Sequence, residues 1–130
     1  MINSEPNLRY PKEEKLKQKK DITLLFEKGK WRSQGKIRLI FYKFPESTEE
    51  NIVALNKVGV SVSKRFFKKA VDRNRIKRLL REVYRHNKAE FAAKFGDSTL
   101  AMIFWNSPEL PNHVSEVETE FLQICTQKKK

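Results

Sequence analysis

The side chains of this chain best suited to chemistry are cations set at helical spacing. The stretch RNRIKRLLREVYR, residues 73–85, interleaves Arg73, Arg75, Lys77, Arg78, Arg81 and Arg85 with Ile76, Leu79, Leu80, Val83 and Tyr84. On a helix the five apolar residues cover one face, while Asn74, Arg78, Arg81 and Arg85 fall nearly opposite. Arg73 and Lys77 flank the polar face on one side and Arg75 on the other. Like charges at i and i+4 repel by a few tenths of a kcal/mol per pair, so such a face predicts something anionic to lie against. A merely solvated face, softened by Glu82, is the competing reading. The density of charge decides against it: between Lys64 and Arg85 stand ten cations and two anions. Arg outnumbers Lys on the helix, and its planar fork suits phosphates and base edges.

Catalytic side chains are sparse. The two histidines, His86 and His113, make a poor basis for an acid–base pair of a ribonuclease. No His/Cys group has zinc spacing. Glu46, Glu49 and Glu50 lie in a polar run and read as solubility charges rather than carboxylates held near the basic groove for a metal. Cys125 is the single cysteine. It sits on an apolar helical stripe, reads as a packed thiol, and excludes an internal disulfide, which suits a reducing compartment.

Composition bounds the rest. The chain has 130 residues and a formal net charge of +12, from 28 Lys and Arg against 16 Asp and Glu. That is one domain's length with a polyanion as the expected partner. The first residues lack the apolar run of a signal peptide, and no window approaches the ~20 apolar residues of a membrane helix. A cytoplasmic location with no membrane partner is expected.

The elements that must position the cations follow from periodicity. Residues 1–11 read as an irregular arm, 12–127 as one domain, and 128–130 as a basic tail. Asp21 is a candidate cap for a short helix that ends at Gly29, with Ile22, Leu25 and Phe26 on one stripe. Residues 36–44 read as a strand with Ile37, Leu39 and Phe41 on one side and Arg38, Ile40, Tyr42 and Phe44 on the other. In the strand 57–63, Val58, Val60 and Val62 face a core, while Gly59, Ser61 and Ser63 leave the other side nearly bare. A basic helix over roughly 70–92, a central strand over 98–105 and an amphipathic helix from Val114 complete an α+β sandwich, with helices packed on a small mixed sheet. Ile40, Tyr42 and Phe44 beside small serines would let an extended single strand lie close and stack its bases; the competing reading makes Tyr42 and Phe44 core beneath the first helix, less so for Tyr42, whose hydroxyl wants a partner.

GVSVSK followed by KKAVDRNRIKRLLREVYR resembles the signature of the bacterial ribonuclease P protein component. KLKQKKDITLLFEKGK resembles that family's N-terminal segment and first helix, and STLAMIFW its last strand, so the likeness runs from about Lys12 to Gln127. The resemblance implies a two-layer sandwich like the second domain of ribosomal S5, with a left-handed βαβ crossover. It implies an accessory subunit of an endoribonuclease that removes the 5′ leader of precursor tRNA. The RNA subunit performs the hydrolysis with Mg²⁺ that it holds itself, and the protein carries no catalytic residue, bound metal or cofactor of its own.

Matched by position, Lys64, Arg65, Arg73, Asn74, Arg75, Lys77, Arg78, Arg81 and Arg85 are implied to meet the catalytic RNA. Ile22, Phe26, Ser61 and Ser63, with either Tyr42 or Ile40, are implied to line a cleft for the precursor tRNA leader. No protein partner is required. Two other classes compete. A structural RNA-binding protein of the ribosome or its assembly would share the basic helix but not the cleft. A DNA-binding helix-turn-helix protein would need a second helix close before the basic one, which this sequence lacks.

Overall fold

The computed structural model describes residues 15–44, 56–96, 98–111 and 113–126. The expected arm, the polar run with Glu46, Glu49 and Glu50, and the basic tail lie outside them. Among the described residues the order is α1 (Lys19–Lys28), β1 (Lys30–Gln34), β2 (Ile37–Lys43), β3 (Lys57–Val62), α2 (Ala70–His86), α3 (Lys88–Phe95), β4 (Thr99–Trp105) and α4 (Val114–Cys125). The chain is α+β, with a four-stranded mixed sheet in the order β1-β2-β4-β3. β2 runs antiparallel to both β1 and β4, and β3 runs parallel to β4.

Alternation in the strands assigns the two faces. Ile37, Leu39, Val58, Val62, Ala101, Ile103 and Trp105 form one core with Ile76, Leu80, Val83, Tyr84, Phe91, Phe121 and Ile124 of the helices. On the opposite face Ile40 and Leu100 pack under Leu25 of α1 and Leu16 of the preceding segment. Helices therefore cover both faces, α2, α3 and α4 on one and α1 on part of the other. The two-layer expectation describes only the larger side. Gly59 has room for little else: a Cβ there would stand 3.3 Å from that of Leu16 and 3.4 Å from Met102 Cε.

Three sequence expectations need correction. Asp21 does not cap α1. The helix starts at Lys19 after Gln18, whose carbonyl accepts the Asp21 and Ile22 N–H groups at 3.1 Å each. Asp21 sits in the first turn, where a carboxylate favours the helix dipole, and pairs with Lys57 at 3.5 Å.

The basic helix stops at His86 rather than running on to 92. Asn87 breaks it, donating from Nδ2 to the Val83 carbonyl at 2.8 Å and to Glu118 Oε2 at 2.7 Å. The chain then restarts as α3, which sends Phe91 and Phe95 into the core. Finally, KWRSQ forms β1, a strand absent from the sequence reading. It hairpins into β2 through Gly35 and Lys36, with Gly35 at φ 59°. That is the first position of a two-residue turn, where a type II′ hairpin demands positive φ. Glu120 of α4 closes the turn by accepting the Lys36 N–H at 2.8 Å.

Cys125 is buried against the core, as its stripe predicted. Burial pushes its thiol up to about 12. A thiol with so little thiolate is a poor nucleophile. In native protein at pH 8, Cys125 is expected to resist a maleimide reagent over times that fully label unfolded chain; labelling at equal rates would show that this end of α4 opens readily.

Candidate nucleic-acid interface

The α2 face opposite the core carries Asn74, Arg75, Arg78 and Arg81, all exposed, with Lys77 half-buried at its margin. The helix forms because its apolar stripe docks on β3 and α4, which leaves the cations no interior to enter. Lys64 and Arg65 stand exposed in the turn that joins β3 to α2. That turn is built by Ser63, whose Oγ accepts the Arg65 N–H at 3.0 Å and whose carbonyl accepts the Phe67 N–H at 3.2 Å.

Two of the expected contact cations are engaged inside the protein. Arg73 donates from Nη1 to the carbonyls of Phe67 and Lys68, both at 2.9 Å, so it fastens the basic turn to the helix. Arg85 donates to Glu82 Oε1 at 2.8 Å. That hydrogen bond is the main cause holding the Glu82 carboxyl below its usual range.

The expected cleft residues separate into two groups on the other face of the sheet. Ile40 is 1% exposed, sealed beneath α1, and Tyr42 is the more accessible of the two. Tyr42 is half-buried and packs edge-on against Phe44, ring centroids 5.3 Å apart. It lies beside Leu100 and, through it, Lys57. Ile22 packs into the same small core.

Phe26 belongs to the other group. It is 47% exposed, and its ring centroid lies 6.3 Å from Trp31 and 6.2 Å from Phe104. Trp31 and Phe104 are themselves 5.5 Å apart. The guanidinium of Arg38 sits 4.4 Å over the Trp31 ring. Strand register explains the assembly: Arg38 is opposite Phe104, and Phe104 is opposite Ser61. The result is an aromatic surface with a cation above it and a small hydroxyl beside it, a combination suited to unpaired bases.

Trp31, Phe104 and Arg38 were not among the sequence-derived site residues. A usable signal was present: Gly35-Lys36 marks a two-residue hairpin turn, and pairing outward from it puts Trp31 on the same face as Ile40. The basic and aromatic surfaces lie on opposite faces of the sheet. At the β3 edge Lys15 and Leu16 run alongside Val58. A groove there is lined by Lys15, Lys17, Gly59, Arg81 and Met102, so Arg81 of α2 meets two lysines of the segment preceding α1.

Comparison with known proteins places the chain in a family. The Ribonuclease P family model matches residues 10–129. A ribonuclease P protein component of Porphyromonas gingivalis is 37% identical over 87 residues, covering 67% of this chain and 61% of that protein. One of Dictyoglomus thermophilum is 41% identical over 76 residues, covering 58% and 57%. One of Chlorobaculum tepidum is 32% identical over 110 residues, covering 80% and 71%. The matches thus span about three fifths of the first two relatives' own length. Among solved structures, the RNase P protein of Thermotoga maritima superposes with a TM-score of 0.69 at 21% identity, covering 90% of this chain and 99% of that one. The Staphylococcus aureus RNase P protein gives 0.66 at 19% identity, covering 85% and 91%. At such identities the structural likeness speaks for the fold.

Proposed function

This chain belongs to the Ribonuclease P family, and we propose that it is the protein subunit of a ribonuclease P. In this reading it binds the catalytic RNA through the basic face of α2 and receives the 5′ leader of precursor tRNA on the outer face of the sheet. The observation that carries the proposal is the pairing of two unlike surfaces on one small domain. Exposed cations on a rigid helix suit a structured RNA's phosphates. Exposed aromatics beside a serine on the opposite face suit single-stranded nucleotides.

Among the described residues no three His, Cys, Asp or Glu side chains converge as a metal site. In this proposal the RNA subunit holds the Mg²⁺ that hydrolysis requires. No helix of the described residues is long and apolar enough to cross a membrane, and the proposal keeps the enzyme in the cytoplasm, with the two RNAs as its only required partners. Family membership also supports the ribosomal S5-like layout and the left-handed sense for the crossover from β3 through α2 to β4.

The leader is read as passing Phe26, Phe104 and Ser61. Removing a stacking aromatic costs roughly 1–3 kcal/mol per base. Phe26→Ala in the reconstituted holoenzyme is expected to weaken precursor tRNA binding roughly tenfold and to leave mature tRNA binding almost unchanged. Because the Phe26 ring also meets Trp31 and Phe104, thermal melting must first show the variant folded. Equal loss for precursor and mature tRNA would refute the leader assignment. A larger precursor-specific loss with Tyr42→Ala would move the leader to the other end of α1.

A further inference from the structure

Trp31 is the residue least explained by folding. It lies on β1, the outermost strand, and is 41% exposed. Trp31 and Phe26 meet the smaller core only at its rim, through Phe104. Yet the indole is not loose: Phe26 and Phe104 stand against it and the Arg38 guanidinium covers one side at 4.4 Å. Arg38 is itself exposed and reaches Trp31 diagonally across the hairpin, from the position paired with Ser33. A large aromatic held half in water, with a cation already stacked on it, is a preformed place for a flat ring linked to a negatively charged group. The flat anionic unit that the charge of this chain selects is a nucleotide.

We infer that Trp31 and Arg38 form a further nucleotide-binding position at the β1 edge, taking one unpaired nucleotide of single-stranded RNA with its base against the indole and its phosphate on the guanidinium. This rests on reading the chain as an RNA-binding subunit, and it extends the path of a single strand from Phe104 and Ser61 outward across β2 to the sheet's edge. A duplex could not use it, because paired bases present no free ring face.

The chain contains the experiment's own reporters. Its two tryptophans differ sharply, Trp105 being 1% exposed. Acrylamide, a neutral quencher, should therefore reach Trp31 and spare Trp105. In the full-length protein, a mixed-sequence single-stranded RNA oligonucleotide is expected to shield Trp31 from acrylamide, and the matching duplex at equal phosphate is not. Trp31→Ala should weaken binding of the single strand roughly tenfold, with Trp31→Phe retaining most of it and Arg38→Gln lowering the salt dependence.

The remaining Trp105 emission reports whether each Trp31 variant is folded. If Trp31 is already shielded in the free protein, another part of the chain covers the patch and the inference fails. It fails equally if duplex shields as well as single strand. Should Trp31→Ala bind normally while Arg78→Ala weakens both RNA forms, this position is void and the ribonuclease P reading stands. Failure of the protein to support cleavage with the RNA subunit would remove that reading and leave the stacking result intact.

Discussion

A fourfold rise in monovalent salt, from about 50 to about 200 mM, is expected to weaken binding of this protein to the ribonuclease P RNA by roughly 250- to 1000-fold. The figure follows from about six phosphate contacts, each releasing somewhat under one counterion, for a slope of about −4 to −5 in log K against log salt. The exposed cations Lys64, Arg65, Arg75, Arg78 and Arg81, with Lys77 at their margin, supply that number. Arg78→Ala and Arg81→Ala should each flatten the slope by somewhat under one unit, measured by filter binding across a salt series. Arg73→Ala should behave differently. Its guanidinium holds two carbonyls of the basic turn, so its loss should loosen Lys64 and Arg65 and lower the melting temperature as well. A slope near zero, or wild-type slopes in both Arg78 and Arg81 variants, would mean that the α2 face is merely solvated.

The basic helix was legible in the sequence because its information is local. A period of 3.6 in apolar residues sets which side docks, and the cations fall on what remains. The β3 faces were legible for the same reason, Val58 and Val62 alternating with Gly59 and Ser61. The break at Asn87 was not, since neither Gly nor Pro marks it. Its Glu118 partner lies 31 residues away, and the restart buries Phe91 and Phe95 that would otherwise extend a plausible helix.

The aromatic surface was half legible. Phe26 could be found on α1, but its neighbours arrive through the register of three strands, a non-local property. Ile40 and Tyr42 share a face by alternation, and only the docking of α1 decides that Ile40 is sealed. β1 escaped notice because KWRSQ has a single large apolar residue, Trp31, and that residue faces solvent.

Protein freed of RNA is expected to leave precursor tRNA uncut, and the same protein added to a bacterial ribonuclease P RNA at limiting Mg²⁺ is expected to turn negligible cleavage into ready cleavage. Hydrolysis of a phosphodiester needs an activated water and stabilised charge on the leaving oxygen. Several of the protein's described acids are engaged by neighbouring groups. Glu109 and Glu116 lie 2.8 and 3.7 Å from the Lys36 ammonium, and Glu120 holds the hairpin turn. Glu82 is bound by Arg85, with His86 3.4 Å from the same oxygen. Asp21 pairs with Lys57. Carboxylates spent on neighbouring cations leave the remaining cations to attract RNA, which is the work of a subunit that binds and positions substrate. The assay compares 5′-leader release with RNA alone, protein alone and both. Metal-dependent cleavage by RNA-free protein would overturn the assignment of chemistry to the RNA. Tight RNA binding with no change in cleavage at any Mg²⁺ concentration would instead make this a structural RNA-binding protein, because the basic face alone would then account for everything it does.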